Sequence, residues 1–278
     1  MRNLNRHLVQ SSSTHTRMWG GALAALTILA TACSSSSTPS TTSTTDTANL
    51  TGSITVSAAS SLTTAFSKLA STFEAAHHGT IITFNFGSSG ALATQIIQGA
   101  PSDVFASASP KNMDMVSVTG AVLGKPVTFA RNSLEIVVKP GNPLAISSLA
   151  DLTKAHVVAI CVSTAPCGAT ADQALKNASV TLPSSQVTLG PDVEATVAAV
   201  TTGDADAAIV YVTNAKKVGA LGTGVGVPIP ASVNVTTSYP IAAIKSTKDK
   251  SLTLAWIAYV LGPTGQKVLR TAGFLPAG

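Results

Sequence analysis

The chain has 278 residues, with 17 Lys and Arg against 12 Asp and Glu, a formal net charge of +5. Arg2, Arg6 and Arg17 all fall in the first 32 residues, so the remainder carries only +2 (17 − 3 − 12) and has no basic run or basic–aromatic interleaving, which excludes nucleic acid as a partner. Aromatic residues are 4% of the whole, so the core has to be built from Ala, Val, Ile and Leu.

Residues 1–32 read as a signal peptide. The three arginines form a basic leader, and Trp19 to Ala32 is an apolar stretch ending in small residues, shorter than the about 20 residues of a membrane span. Ala30-Thr31-Ala32 before Cys33, with Ser34 to Ser37 after it, resembles a bacterial lipoprotein signal. The resemblance implies cleavage before Cys33 and lipidation of that cysteine, although Ala30 stands where such signals usually carry Leu. An ordinary secretory signal is the alternative. Residues 33–50 are nearly all Ser and Thr, a composition that buries too little to offset its ordering entropy, and form a tether spanning about 23 Å on average. The protein is therefore expected outside the cytoplasm, lipid-anchored to the outer face of the cell membrane or held in a periplasm.

Beyond the tether, strands and helices alternate. Ile54-Thr55-Val56-Ser57-Ala58 predicts a strand, after which Leu62, Phe66, Leu69 and Phe73 recur at helical spacing. Ile81 to Phe86 predicts a second strand, and Leu92 and Ile96 a second helix stopped by Gly99 and Pro101. The turns between them are Ala59-Ser60-Ser61-Leu62 and Gly87-Ser88-Ser89-Gly90. Such turns place hydroxyls and free backbone N–H groups at a helix N-terminus, a ready site for an anion. Asp103 to Ala108 and Leu134 to Lys139 are further strands. Val157 to Cys161 leads through Pro166-Cys167-Gly168 into a helix carrying Leu175. Asp192 is placed to cap a helix with Val193, Val197 and Val200 on one face, Ala207 to Tyr211 is an apolar strand, and Leu252 to Arg270 is helical with a Gly262-Pro263 break. This alternation predicts mostly parallel sheets covered by helices, with anion sites at the carboxyl ends of strands.

Cys161 and Cys167 bracket a turn after a strand. In an exported protein such a pair reads as a disulfide; metal binding is the weaker alternative, since no second Cys/His pair stands at ligand spacing. His77, His78 and His156 have no metal-ligand company in the sequence and read as solvent-facing or satisfied residues.

Taken in order, these motifs resemble the periplasmic molybdate-binding proteins of bacterial ABC transporters over residues 52–276. The resemblance rests on Ala58-Ala59-Ser60-Ser61-Leu62, Phe86-Gly87-Ser88-Ser89-Gly90-Ala91-Leu92, Gly99-Ala100-Pro101-Ser102-Asp103-Val104-Phe105, Ala165-Pro166-Cys167-Gly168, Asp192-Val193, Ile209-Val210-Tyr211 and Tyr239-Pro240-Ile241-Ala242. It implies a two-lobed α/β binding-protein fold, each lobe a mostly parallel sheet flanked by helices, with the ligand cleft between lobes. Residues 52–131 and 239–278 would form lobe I and 132–238 lobe II. It implies no enzyme and no cofactor, but a monomeric receptor that delivers molybdate, and tungstate with it, to an ABC permease. The metal would be contacted only through its oxygens. The residues matching the family's contacts are Ser61 and Ser89 by hydroxyl and N–H, Cys167 and Val193 by backbone N–H, and Tyr211 by its phenol. Which of Ser60 and Ser61 faces the ligand stays open.

The chemistry fits on its own terms. Molybdate, tungstate and sulfate are deprotonated dianions that only accept hydrogen bonds, and none of these motifs contains Lys or Arg. Phosphate keeps a proton that a donor-only pocket leaves unpaired, at a cost of about 1–3 kcal/mol. A receptor for sulfate or another tetrahedral oxyanion is the nearer alternative. A serine hydrolase is the remote one: Gly87-Ser88-Ser89-Gly90-Ala91 sits where a nucleophile elbow would, but Ala91 replaces its last Gly, and His156 and Asp151 are nearly adjacent in sequence.

Overall fold

The computed structural model describes residues 50–278. The leader, Cys33 and all of the tether but its last residue lie outside the described residues, so the signal-peptide, lipidation and tether expectations are not addressed by it.

The elements follow in chain order as β1 (Gly52–Ala59), a single 3-10 turn (Ser60–Leu62), α1 (Thr63–Ala76), β2 (Thr80–Gly87), α2 (Ser89–Ile97), β3 (Val104–Ala106) and α3 (Pro110–Ser117). Next come β4 (Val122–Val138), β5 (Val158–Cys161), α4 (Pro166–Asn177), β6 (Val187–Gly190), α5 (Val193–Thr201), β7 (Ala207–Tyr211), α6 (Val212–Leu221) and β8 (Val225–Pro228). The chain closes with β9 (Thr236–Ile244), α7 (Lys250–Leu261) and α8 (Pro263–Ala272).

The strands form one path in the order β2-β1-β3-β9-β4-β7-β5-β6, with β8 paired to β4. β1 pairs with β2 and β3 in parallel, and β5 pairs with β6 and β7 in parallel. The antiparallel pairings all involve β4 or β9. β4 is 17 residues long and changes partner along its length. Val122 to Ser133 pair with β9, and Leu134 to Val138 with β7. One strand thus belongs to both halves of the sheet, and β9 pairs with it only up to Ser133, where the change begins.

Two large cores flank this crossing, beside a smaller third cluster that includes Leu92, Ile96, Phe105, Met113 and Val122. One gathers Ile54, Val56, Leu62, Phe66, Leu69, Phe73, Phe129, Tyr239, Trp256 and Phe274; the other runs from Leu134 to Ile229. The expectation of an aliphatic core fails for the first of these. In the first, Trp256 meets Phe66 and Phe73 edge-on at 5.8 and 5.7 Å, and Phe66 also packs against Phe129. The few aromatics are concentrated rather than spread. Tyr211 is the sole aromatic residue between Asn132 and Ser238. Fully burying a large apolar side chain stabilises by about 1.5–3 kcal/mol, so a handful of edge-packed rings anchors the first core.

Candidate functional site

All five residues singled out for the anion line one small cavity. Each arrives by the same local route, a strand ending in a helical start. β1 ends at Ala59 and the 3-10 turn begins at Ser60, placing Ser60 and Ser61 on the wall. β2 ends at Gly87; Ser88 caps α2 by accepting from the Ala91 N–H at 3.3 Å, which leaves Ser89 as the first helical residue facing in. α4 starts at Pro166, so Cys167 stands in its first turn. Asp192 caps α5 by accepting from the Ala195 N–H at 3.0 Å and presents Val193. Tyr211 ends β7. The first N–H groups of a helix have no intrahelical acceptor, so these starts bring unpaired donors together.

The hydroxyls are oriented by the protein. Ser89 Oγ accepts from the Ala108 N–H at 2.9 Å, so its own hydrogen is left for the cavity. Ser61 Oγ lies 2.9 Å from the Tyr239 hydroxyl. Ser60 lines the wall too, so the doubled serine supplies two hydroxyl-bearing residues, of which Ser61 is the one joined to Tyr239. Among the described residues, the Tyr211 hydroxyl is buried without any hydrogen-bond partner. A buried, unsatisfied hydroxyl is costly and rare, and here it lines the cavity. Burial pushes the Tyr211 phenol well above the ordinary tyrosine range, with the nearby Tyr239 adding to the effect. Burial also raises Tyr239, against the pull of its contacts with Ser61 and Asn132. Both phenols therefore remain O–H donors at neutral pH.

No lysine, arginine or histidine lines the cavity, and its one acid, Asp192, is occupied as a helix cap. The site offers donors without a formal cation. It can hold an acceptor-only group of small size, and no cluster of His, Cys, Asp and Glu that could bind a metal directly occurs among the described residues.

Cys161 and Cys167 are joined by a disulfide, with Cα atoms 5.7 Å apart, closing the turn that presents the Cys167 N–H. Gly168 is required at this turn, because a Cβ there would lie 2.5 Å from the Cys161 carbonyl oxygen. Gly90 marks where the two halves meet. Its absent Cβ would stand 2.6 Å from the Thr164 carbonyl oxygen, in the loop spanned by the disulfide.

The arrangement does not assemble a hydrolase. Asp151 is taken up by Ser147, Ser148 and Lys154, and its carboxyl is held well below the usual range chiefly by Lys154. The His156 backbone N–H donates to Asp206, and neither His156 nor Asp151 lines the cavity that holds Ser89. Sequence reasoning missed Asn132, which is fully buried and bonded to Thr213, and it quoted Tyr239 only within a motif. A lone amide facing inward beside the apolar run of β4 was the available signal for Asn132.

Residues 54–275 match the family described as bacterial extracellular solute-binding protein. The chain is 38% identical over 224 residues to the molybdate-binding protein ModA of Mycobacterium tuberculosis, covering 80% of this chain and 84% of that one. Among solved structures, the periplasmic molybdate-binding protein of Azotobacter vinelandii superposes with a TM-score of 0.73 at 22% identity, over 80% of this chain and 98% of that chain. The sulfate-binding protein SubI of Mycobacterium tuberculosis superposes with a TM-score of 0.72 at 18% identity, over 81% and 86%. At those identities the structural likenesses establish the two-lobed binding-protein fold alone. The family match over most of the chain goes further: this chain belongs to the bacterial extracellular solute-binding proteins.

Proposed function

We propose that the protein is the receptor of an ABC importer for molybdate, taking tungstate as well, and that Ser61, Ser89, Cys167, Val193 and Tyr211 contact the anion's oxygens. The observation that carries this reading is the buried Tyr211 hydroxyl with no partner, set in a small cavity walled by donors. An oxyanion that only accepts hydrogen bonds supplies the missing acceptor without bringing a proton that needs one. The 38% identity to a molybdate-binding protein supports molybdate as the anion.

Residues 52–131 with 239–278 act as one lobe and 132–238 as the other, with β4 and β9 as the crossing strands. Ligand bridging the lobes favours the closed form, which the permease recognises. The receptor acts as a monomer held to the membrane through lipid on Cys33.

Calorimetric titration of the full-length chain with molybdate, tungstate, sulfate and phosphate tests the reading. Tight one-to-one binding of the first two, with sulfate far weaker and phosphate weakest, is expected. Tight sulfate binding alone would keep the site and reassign the ligand; silence for all four would overturn the oxyanion reading.

A further inference from the structure

The geometry points to Asn132 as a positioning residue that sets the anion selectivity of the site through Tyr239, an inference that rests on the oxyanion reading above. Asn132 lies on β4 where that strand crosses between the halves, and it is fully buried. Its Oδ1 accepts from the Ser133 N–H at 3.1 Å, which fixes the amide so that Nδ2 faces the other way. Nδ2 then donates to Thr213 Oγ1 at 3.0 Å and, more weakly, to the Tyr239 hydroxyl at 3.5 Å. The Thr213 hydroxyl hands its own hydrogen on toward Asn214 Oδ1 at 3.4 Å. Turning the amide over would set Nδ2 against the Ser133 N–H, donor against donor.

This orientation dictates the polarity of the next contact. A phenol has one hydrogen, and the side-chain partners of the Tyr239 oxygen are Asn132 Nδ2 and Ser61 Oγ. Asn132 offers only hydrogens, so Tyr239 donates to Ser61. Ser61 Oγ is then an acceptor toward Tyr239, and its own hydrogen goes to the cavity. The reverse arrangement, with Ser61 donating to Tyr239, would leave the Tyr239 hydrogen only the neighbouring Tyr211 hydroxyl to turn to, and that group lies beyond hydrogen-bond distance. Asn132 thereby makes Ser61 a donor toward any bound anion. That is what a fully deprotonated oxyanion needs and what hydrogen phosphate, with its P–O–H, cannot use in full.

Asn132→Asp preserves shape and replaces the donor facing Tyr239 with an acceptor. Tyr239 can then donate to residue 132, Ser61 to Tyr239, and Ser61 Oγ can accept a ligand proton. The added charge acts on molybdate and on hydrogen phosphate alike, since both are dianions in mildly alkaline buffer, so the ratio of their affinities isolates the change of polarity.

The test titrates molybdate and phosphate into the full-length chain as the parent, Asn132→Asp, Tyr239→Phe and the double variant. Asn132→Asp is expected to narrow the molybdate-over-phosphate ratio by about tenfold or more, and to leave the ratio unmoved when Tyr239 is already Phe. Tyr239→Phe alone is expected to weaken molybdate by about tenfold, because Ser61 is no longer held. Equal losses of both anions in Asn132→Asp, or an equal change of ratio with and without the Tyr239 hydroxyl, overturn the inference. Should Asn132→Asp fail to fold, unchanged molybdate affinity in Tyr239→Phe overturns it on its own. A parent that binds neither anion overturns the oxyanion reading and the inference together; a parent that binds molybdate while the variants behave as structural lesions overturns the inference alone.

Discussion

The two walls of the cavity are built on different terms. On the side of Ser61 and Ser89, each hydroxyl is already held by the protein: Ser89 Oγ accepts from the Ala108 N–H, and Ser61 Oγ lies in hydrogen-bond contact with the Tyr239 hydroxyl. On the other side, Cys167 and Val193 stand in helical first turns as backbone donors, and the buried Tyr211 hydroxyl has no hydrogen-bond partner. The first wall is pre-oriented by side chains, the Ser61 turn packing on the aromatic core and the Ser89 helix on the cluster of Leu92 and Ile96; the second is set by backbone and a disulfide over an aliphatic core. Side-chain truncation should therefore hurt the first wall in binding. The second should yield mainly to changes that move its backbone or keep the walls apart.

Keeping the walls apart gives the largest effect. Gly90→Ala puts a methyl group 2.6 Å from the Thr164 carbonyl oxygen across the halves. An overpacked backbone contact costs up to about 3 kcal/mol, so anion affinity should fall about 100-fold with the fold intact by circular dichroism. Unchanged affinity would show that this contact does not belong to the bound state. Next, Ser89→Ala removes a donor and strips the Ala108 N–H of its acceptor, and Ser61→Ala frees Tyr239; each should weaken binding by about 1–3 kcal/mol in calorimetry. Tyr211→Phe sharpens the contrast by changing sign between states. It should cost about 1–2 kcal/mol of binding yet raise the melting temperature of the ligand-free protein, since it deletes an orphaned buried hydroxyl.

How far these walls could be read from the chain depends on where their information lies. The Ser and Gly turns, the Asp192 cap and the β7 strand end are local, and the residues concerned reach the cavity. β4 and β9 were only half legible. From Val122 to Ser133, β4 carries Gly124, Pro126, Arg131 and Asn132, a mixed pattern without the alternation of a half-buried strand, because its pairing comes from β9 more than 100 residues away. α6 and β8 also went unread: α6 follows Tyr211 directly, without a turn residue to announce it, and β8 has only four residues. Asn132 and Tyr239 depend on that same long-range pairing, so their shared role could not be seen until register was known. The concentration of rings around Trp256 is likewise a matter of tertiary contact, invisible to composition.

Two smaller effects complete the comparison. Replacing both Cys161 and Cys167 by Ala should lower stability by about 2 kcal/mol for so short a loop, with little change in affinity, because Cys167 contributes its backbone. A large affinity loss would mean that the disulfide holds the second wall in its binding geometry. The pH response should be smaller still. The phenols of Tyr211 and Tyr239 sit above the ordinary value in the folded protein, so the folded state holds protons that the unfolded state releases near pH 10. Their contribution to stability is complete below about pH 10 and is lost as pH rises beyond it, while binding stays flat through neutral pH. Denaturant midpoints measured from neutral to strongly alkaline buffer check the sign.

The central claim, that an oxyanion sits among uncharged donors drawn from both halves, is tested most directly by a crystal structure grown with molybdate and recorded at the molybdenum absorption edge. The account predicts one anomalous peak in the cavity, with oxygens at hydrogen-bond distance from Ser61, Ser89, Cys167, Val193 and Tyr211. A peak in the groove beside Lys245 and Lys248 instead, or an empty cavity in crystals grown with excess molybdate, would contradict it.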